Sequence, residues 1–409
     1  MKMIEKISID EFDGKKFKIR FLESDDNRKA VVTHYLHNYN NGIKKHYQKE
    51  ATKNIKELVE YKNEEEKLNL VSDVALQQLL FEVEDVPFPT PKNYTFKFID
   101  LFAGIGGFRM AMQNVGGKCV FTSEWDENAK KTYRANFGET PFGDITKERT
   151  KNYIPNDFDV LCAGFPCQAF SIAGYRKGFH DTRGTLFFDL EKIIETKRPK
   201  VVFLENVKNL VSHDKGNTFK IIIEVLEEKL GYKVYKKILN SATYANIPQN
   251  RERIFIIAFD PDQVPNHENF KFPSKIPLTK TIHDILESGK QADYLYYKKE
   301  HQYYPELAKT ITSKDTIYQW RRVYVRENKS NVCPTLTANM GSGGHNVPLI
   351  LDDFGIRKLT PKECFAFQGY PIEKYILPNV ANGRLYMQAG NSVTTTLIER
   401  ISKEILKVL

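Results

Sequence analysis

The chain has 409 residues, 41% hydrophobic and 28% charged, which is enough apolar sequence for two or three domains with cores of their own. No run reaches the ~18 apolar residues of a membrane span, and the start, Met1-Lys2-Met3-Ile4-Glu5-Lys6, has no secretory core, so a cytosolic protein is expected. Five cysteines without a CxxC pair or a His/Cys spacing argue against a disulfide framework and a structural zinc. Of the net charge of +9, residues 1–95 contribute −1 and the rest +10, so a polyanionic partner is expected on the later part.

Residues 1–95 read as a small unit in which no chemistry is visible. A strand-like piece (17–21) comes first. A helical period then runs from 44 to 80 through Ile55, Leu58, Val59, Val74, Leu76, Leu79 and Leu80. Pro87-Phe88-Pro89-Thr90-Pro91 breaks it as a stiff linker. From Thr95 the pattern becomes α/β. Residues 97–102 read as a strand, and 103–108 as a Gly-rich turn opening a helix, where the backbone can approach a ligand. Residues 120–125 form a second strand ending in Glu124, an acid suited to ribose hydroxyls. Trp125 beside it either covers an adenine face or packs in the core. Asp144, after a third short extended segment, can accept from an adenine amino group. Together these residues describe a nucleoside-bearing cofactor across successive strand ends.

The next strand, 159–163, leads into Gly164-Phe165-Pro166-Cys167-Gln168. Cys162 lies inside the strand and reads as structural, whereas Cys167 follows a proline at the strand's carboxyl end, where open α/β sheets place their chemistry. Its thiol is the nucleophile candidate. The segment 168–184, glycine-spaced and basic, reads as a lid over an anionic substrate or as a plain surface loop. An amphipathic helix (185–196) precedes a buried strand (200–207) carrying Glu205 at its end, where a carboxylate is costly unless paired or functional. Two further strands follow (231–239 and 253–259), and between them Arg251 and Arg253 share a face if extended. Beyond about residue 260 the doubly wound pattern stops. Residues 318–326 and 334–345 interleave arginines, aromatics and glycines, as a groove-reading nucleic-acid surface or a solvated β-rich domain would. Thr360 caps a helix opened by Pro361, and Gly390-Asn391-Ser392-Val393 are expected to cap an amphipathic closing helix.

With these pieces in order, the chain resembles the bacterial DNA (cytosine-5)-methyltransferases of restriction–modification systems over residues 96–409. The resemblance is carried by 100–107, Glu124-Trp125, Asp144, Pro166-Cys167-Gln168, Glu205-Asn206-Val207, Gln249-Asn250-Arg251-Glu252-Arg253, 357–363 and Gly390-Asn391-Ser392-Val393, all in the family's sequence order. It implies an α/β fold: a Rossmann-like S-adenosylmethionine-dependent methyltransferase domain (96–270) with a smaller, irregular β-containing target-recognition domain (271–356). Residues 357–409 would return a final helix to the catalytic domain, and 1–95 would be an extension of unknown role.

The family's chemistry then implies roles by position. Cys167 adds to carbon 6 of a cytosine flipped out of duplex DNA, Glu205 serves ring N3, Arg253 holds the 2-oxo group, and Arg251 is its partner. S-Adenosylmethionine, leaving as S-adenosylhomocysteine, would be held by Asp100, Phe102, Gly104, Gly106 and Pro166, with Glu124 at the ribose, Trp125 and Ile145 at the adenine faces and Asp144 at the amino group. Asn391 and Ser392 would join from the far end of the chain, and no metal is needed. Gln168, Ser171, Gln319, Arg322 and Thr335 match DNA-contacting positions. Ala173 stands where some members place a serine, so that hydroxyl contact is not expected. The resemblance further implies a monomer on double-stranded DNA, cytoplasmic and nucleoid-associated, guarding sites from a cognate restriction endonuclease, with no membrane contact. RNA methylation is the competing substrate reading. A catalytically dead regulator is opposed by Cys167, Glu205 and Arg253, and a nicotinamide oxidoreductase by the missing G-x-G-x-x-G spacing.

Overall fold

Alternating apolar strands and amphipathic helices give the chain a mixed α/β fold with a central sheet. The computed structural model describes residues 26–65, 71–166, 186–321, 324–342 and 346–409. The chain divides into two compact units, Met1–Phe203 and Leu204–Leu409.

The first unit opens with three helices, α1 (Asp26–His37), α2 (Lys44–Glu65) and α3 (Ser72–Glu84). The Pro-rich stretch after them is bonded into the unit. Phe88 donates its N–H to the Asn136 carbonyl at 2.9 Å, and Thr90 Oγ1 accepts from Arg109 at 3.2 Å. β1 (Phe96–Leu101) then runs parallel to both β2 (Gly117–Ser123) and β3 (Val160–Ala163), in the order β2-β1-β3. Nearly every residue of these strands is buried. That explains why they are mostly apolar, since parallel strands covered on both faces have no polar side. Two helices follow strand ends in turn. α4 (Gly107–Asn114) starts from the Gly-rich turn, and α5 (Glu127–Phe137) is capped by Asp126, which accepts from Ala129 N–H at 2.8 Å. α6 (Leu186–Lys197) buries Phe187, Leu190, Ile193 and Ile194, and β4 (Val201–Val207) carries the chain from the first unit into the second.

In the second unit, after α7 (Asn217–Glu224), β5 (Lys233–Asn240) and β7 (Glu252–Phe259) pair antiparallel over eight residues each, from Lys233 opposite Phe259 to Asn240 opposite Glu252. The two-residue β6 (Gln249–Asn250) precedes β7 and pairs with β10 (Cys333–Pro334). Helix α8 (Tyr304–Thr310) leads into the hairpin of β8 (Tyr318–Arg321) and β9 (Tyr324–Glu327). With β11 (Leu349–Asp352) and β12 (Gly355–Lys358) it makes a four-stranded antiparallel sheet, order β12-β11-β8-β9. Leu307, Ile311, Tyr318, Val325, Leu349 and Ile356 form its own small core.

Helix α9 (Pro361–Ala366) begins as its sequence predicts, with Thr360 and Glu363 closing a reciprocal capping box and Pro361 at the first turn. The end of the chain differs from expectation. Gly390 and Asn391 are the last residues of α10 (Asn382–Asn391), and the closing helix α11 (Thr395–Leu406) starts after Thr394, which makes no side-chain cap bond. The glycine is there for another reason. A Cβ on Gly390 would lie 2.2 Å from the Thr337 carbonyl carbon and 2.4 Å from Ala338 N, so α10 presses against that backbone. Gly390→Ala is therefore expected to cost about 1–3 kcal/mol through overpacking, read as a lower urea midpoint at unchanged slope.

Candidate active site

The Gly-rich turn runs through left-handed backbone. Phe102 takes φ of 55°, a left-handed conformation that is uncommon outside glycine, and Gly104 and Gly106 follow at 54° and 84°. A Cβ on Gly106 would meet the Phe137 ring at 2.2 Å, so only glycine admits this path. The turn is held open toward its neighbour by Glu124. One carboxylate oxygen accepts from Gly104 N–H at 2.7 Å, the other from Trp125 N–H at 2.8 Å and Asp126 N–H at 2.7 Å. Burial raises its pKa against those three bonds.

Asp100, at the end of β1, is fully buried, and neither carboxyl oxygen has a hydrogen-bond partner. Burial pushes its pKa up to about 8. Arg109 pulls the value back only in part, and a cationic ligand would favour the charged form further. Trp125 is 76% exposed, which rules out core packing for its indole. Ile145 is buried, while Asp144 is half-buried and accepts from Thr146 N–H at 2.9 Å. Pro166 is exposed beyond β3. Cys167, Gln168 and Ser171 lie outside the described residues, as do the expected lid and Arg322.

In the second unit, β4 and β7 bring a carboxylate and a guanidinium together. Glu205 Oε1 faces Arg253 Nε at 3.1 Å, off the line of a true hydrogen bond, and both side chains are mostly buried. Burial raises the Glu205 pKa, opposed by the charges of Arg253 and Arg251. A carboxyl in that state can hold a proton for a ring nitrogen, and the guanidinium beside it can hold an oxygen on which negative charge develops.

Arg251 goes elsewhere. It is wholly buried and donates to the carbonyls of Leu336 (2.9 Å), Gly390 (3.2 Å) and Ser392. Gln249 joins the same lacing, donating to the Phe367 carbonyl at 2.5 Å and accepting from Leu336 N–H at 3.2 Å. Asn391 is exposed, and the Ser392 hydroxyl lies 2.7 Å from that of Tyr370. Thr335 donates its hydroxyl to the Asn250 carbonyl at 2.5 Å, and Gln319 on β8 accepts from Arg321 at 2.8 Å.

Sequence reasoning missed a buried polar cluster in the first unit. Arg109 donates to Glu139 at 2.6 Å, Thr122 donates its hydroxyl to the same oxygen at 2.7 Å, and His34 of α1 stands 3.4 Å from it. Its members are scattered from residue 34 to 139, and the one local signal was His34 and His37 three apart on a helix.

Among solved structures, the Dnmt2 methyltransferase of S. pombe shares the fold at a TM-score of 0.58 and 19% identity, over 76% of this chain and 99% of that one. This likeness shows a shared mixed α/β fold with a central sheet. The family model for C-5 cytosine-specific DNA methylase matches residues 96–407. The type II methyltransferase M.Bsp6I of Bacillus sp. (strain RFL6) is 53% identical over 311 residues, covering 75% of this chain and 97% of the relative. M.HpaII of Haemophilus parainfluenzae is 46% identical over 361 residues, covering 83% and 97%. The chain belongs to the C-5 cytosine-specific DNA methylase family, and its enzyme class is DNA cytosine-5 methyltransferase.

Proposed function

We propose that the protein methylates carbon 5 of one cytosine within a short fixed sequence of double-stranded DNA and so guards that sequence from a partner restriction endonuclease. The observation that carries the reading is the Glu205–Arg253 pair, a mostly buried carboxyl 3.1 Å from a guanidinium, in a chain of this family. Residues 96–270 would be a Rossmann-like catalytic domain and 271–356 the target-recognition domain. The four-stranded sheet and its aromatic-backed hairpin support the second assignment. Gln319 and Thr335, with Arg322, Gln168 and Ser171, are the proposed DNA contacts.

The residues present fit S-adenosylmethionine. A buried carboxyl at the end of β1 (Asp100) suits its cationic end, a carboxylate fixed at the Gly-rich turn (Glu124) suits ribose hydroxyls, and an exposed indole (Trp125) suits a purine face. Phe102, Gly104, Gly106, Asp144, Ile145, Pro166, Asn391 and Ser392 complete the proposed set. When bound, the cofactor supplies an electrophilic methyl group on a sulfonium.

Carbon 5 of cytosine is a poor nucleophile, and the chain's own residues correct this. The Cys167 thiolate adds to carbon 6 while Glu205 holds a proton at N3 and Arg253 neutralises charge at the 2-oxo group, leaving carbon 5 electron-rich. Once carbon 5 carries the methyl group, loss of its proton and departure of the Cys167 sulfur restore the ring. The base must leave the stack to reach these groups, at a cost of roughly a few kcal/mol.

The test is transfer of labelled methyl to unmethylated duplex DNA, beside tRNA, with wild type and Cys167→Ser, followed by bisulfite sequencing. One cytosine methylated in a constant context, and none with the variant, is the expected result. Transfer to tRNA alone would overturn the substrate, and undiminished transfer by Cys167→Ser would overturn the nucleophile.

A further inference from the structure

The polar side chains of α1 carry more than the burial of one helix. β2 is the last strand of the row β2-β1-β3, and the segment beside it, 138–143, meets it at the single bridge of Ser123 and Phe142 and the hydrogen bonds around it. Backbone groups outside a ladder must find partners elsewhere once buried. α1 supplies them. His34 Nε2 accepts from Thr122 N–H at 3.0 Å, Thr33 Oγ1 from Thr140 N–H at 3.1 Å, and Asn27 Oδ1 from Gly143 N–H at 3.4 Å. His34 Nδ1 donates to the Ala30 carbonyl at 2.8 Å, which puts its proton on Nδ1 and leaves Nε2 as the acceptor. Its ring packs against the stacked pair of Phe142, at 4.6 Å, and Phe121, at 5.9 Å.

These contacts fall beside the proposed adenosine-binding residues. Thr122 is two residues before Glu124, and Gly143 adjoins Asp144. We propose that α1 is a positioning element for the adenosine end of the cofactor site. His34 is its central residue, acting through Thr122 on Glu124 and Trp125, while Thr33 and Asn27 act on Asp144 and Ile145. The inference rests on the cofactor reading given above. Its physical basis is that a strand end carrying a three-bonded carboxylate holds its geometry only if the free side of the strand is also bonded, and sites loosened by ~1 Å lose function.

The measurement is calorimetric binding of S-adenosylhomocysteine to the full chain, beside binding of duplex DNA, for wild type, His34→Leu, His34→Gln and Thr33→Val. Leucine fills the space without accepting a hydrogen bond, glutamine can present an acceptor near the Nε2 position, and valine keeps the threonine shape. His34→Leu is expected to weaken S-adenosylhomocysteine about 10-fold, His34→Gln to restore most of that, and Thr33→Val to weaken it roughly 3-fold. DNA affinity is expected to stay within about 2-fold throughout. If His34→Leu does not fold, His34→Gln and Thr33→Val still decide the matter through their own dissociation constants. A lower melting temperature with unchanged S-adenosylhomocysteine binding would overturn the inference, leaving α1 as packing alone. Equal weakening of DNA and S-adenosylhomocysteine would overturn it too. Failure of the wild type to bind S-adenosylhomocysteine would overturn the cofactor reading itself, which is a separate and recognisable result.

Discussion

Glu205→Gln is expected to slow methyl transfer about 10²–10⁴-fold while leaving S-adenosylhomocysteine and DNA binding nearly unchanged. The amide has the shape of the acid and can donate a hydrogen bond, but it cannot hold a transferable proton. Burial raises the Glu205 pKa, and the nearby charges of Arg253 and Arg251 pull it back without cancelling the rise. The wild-type rate should therefore fall as pH rises through that raised pKa, as the protonated form is lost. The glutamine variant should lack this limb. Stability follows the same sign. A carboxyl whose folded pKa is raised contributes stability below its unfolded value, and that contribution is lost as pH climbs through the folded one. The glutamine variant should thus be no less stable than wild type at pH 8, so its lost activity cannot be charged to unfolding. Wild-type kcat in Glu205→Gln, or a pH limb retained by it, would remove Glu205 from the proton transfer.

Glu205 stood out in the sequence because it sits at the end of a mostly apolar strand, whereas Arg253 was singled out only beside Arg251 and through the family resemblance. A charge at such a strand end has few structural uses. β1, β2, β3 and β4 were legible for the same reason. Arg251 and Arg253 show where the pattern stops being informative. Their spacing puts them on one face of an extended chain, yet the two-residue β6 and the start of β7 send Arg251 into a cage of carbonyls and Arg253 to Glu205. The carbonyls come from Leu336 and Gly390, about 85 and 139 residues further along, and no local period encodes such a partner. Gly390 was legible as a glycine but not as a contact, because what it touches is the backbone of Thr337 and Ala338. The N-terminal helices gave the least away. Asn27, Thr33 and His34 look like ordinary polar residues on a helix, and only the buried side of β2 that has no strand beside it, with the segment next to it, gives them donors to accept from.

The buried cluster under α1 makes the largest stability prediction. Arg109→Leu is expected to cost about 3–5 kcal/mol, because it leaves a buried carboxylate without its cation. Arg109 and Glu139 are both fully buried at 2.6 Å, and the second oxygen of Glu139 has no partner. Burial alone would raise the Glu139 pKa, but the Arg109 guanidinium leads the groups that outweigh it and hold the value down at about 2. Its stabilising contribution is therefore present above the unfolded value of about 4.3 and lost as pH falls toward the folded one. Burial also takes His37 down to about 3, so that residue's contribution is present above its unfolded value and lost on acidification below it. Wild type should accordingly weaken in two stages, first below about pH 6.5 and then below about pH 4.3. In Arg109→Leu the balance at Glu139 turns over. Burial dominates, the carboxyl's pKa rises, and its charged form now destabilises at neutral pH. The difference between variant and wild type should thus be largest near pH 7.5 and shrink toward pH 5, and Glu139→Gln added to Arg109→Leu should recover part of it. Urea unfolding of all three proteins at both pH values measures this. A cost below about 1 kcal/mol at pH 7.5 would show that the pair is not a buried ion pair in solution. An equal cost at both pH values would show that Glu139 does not titrate as its surroundings require.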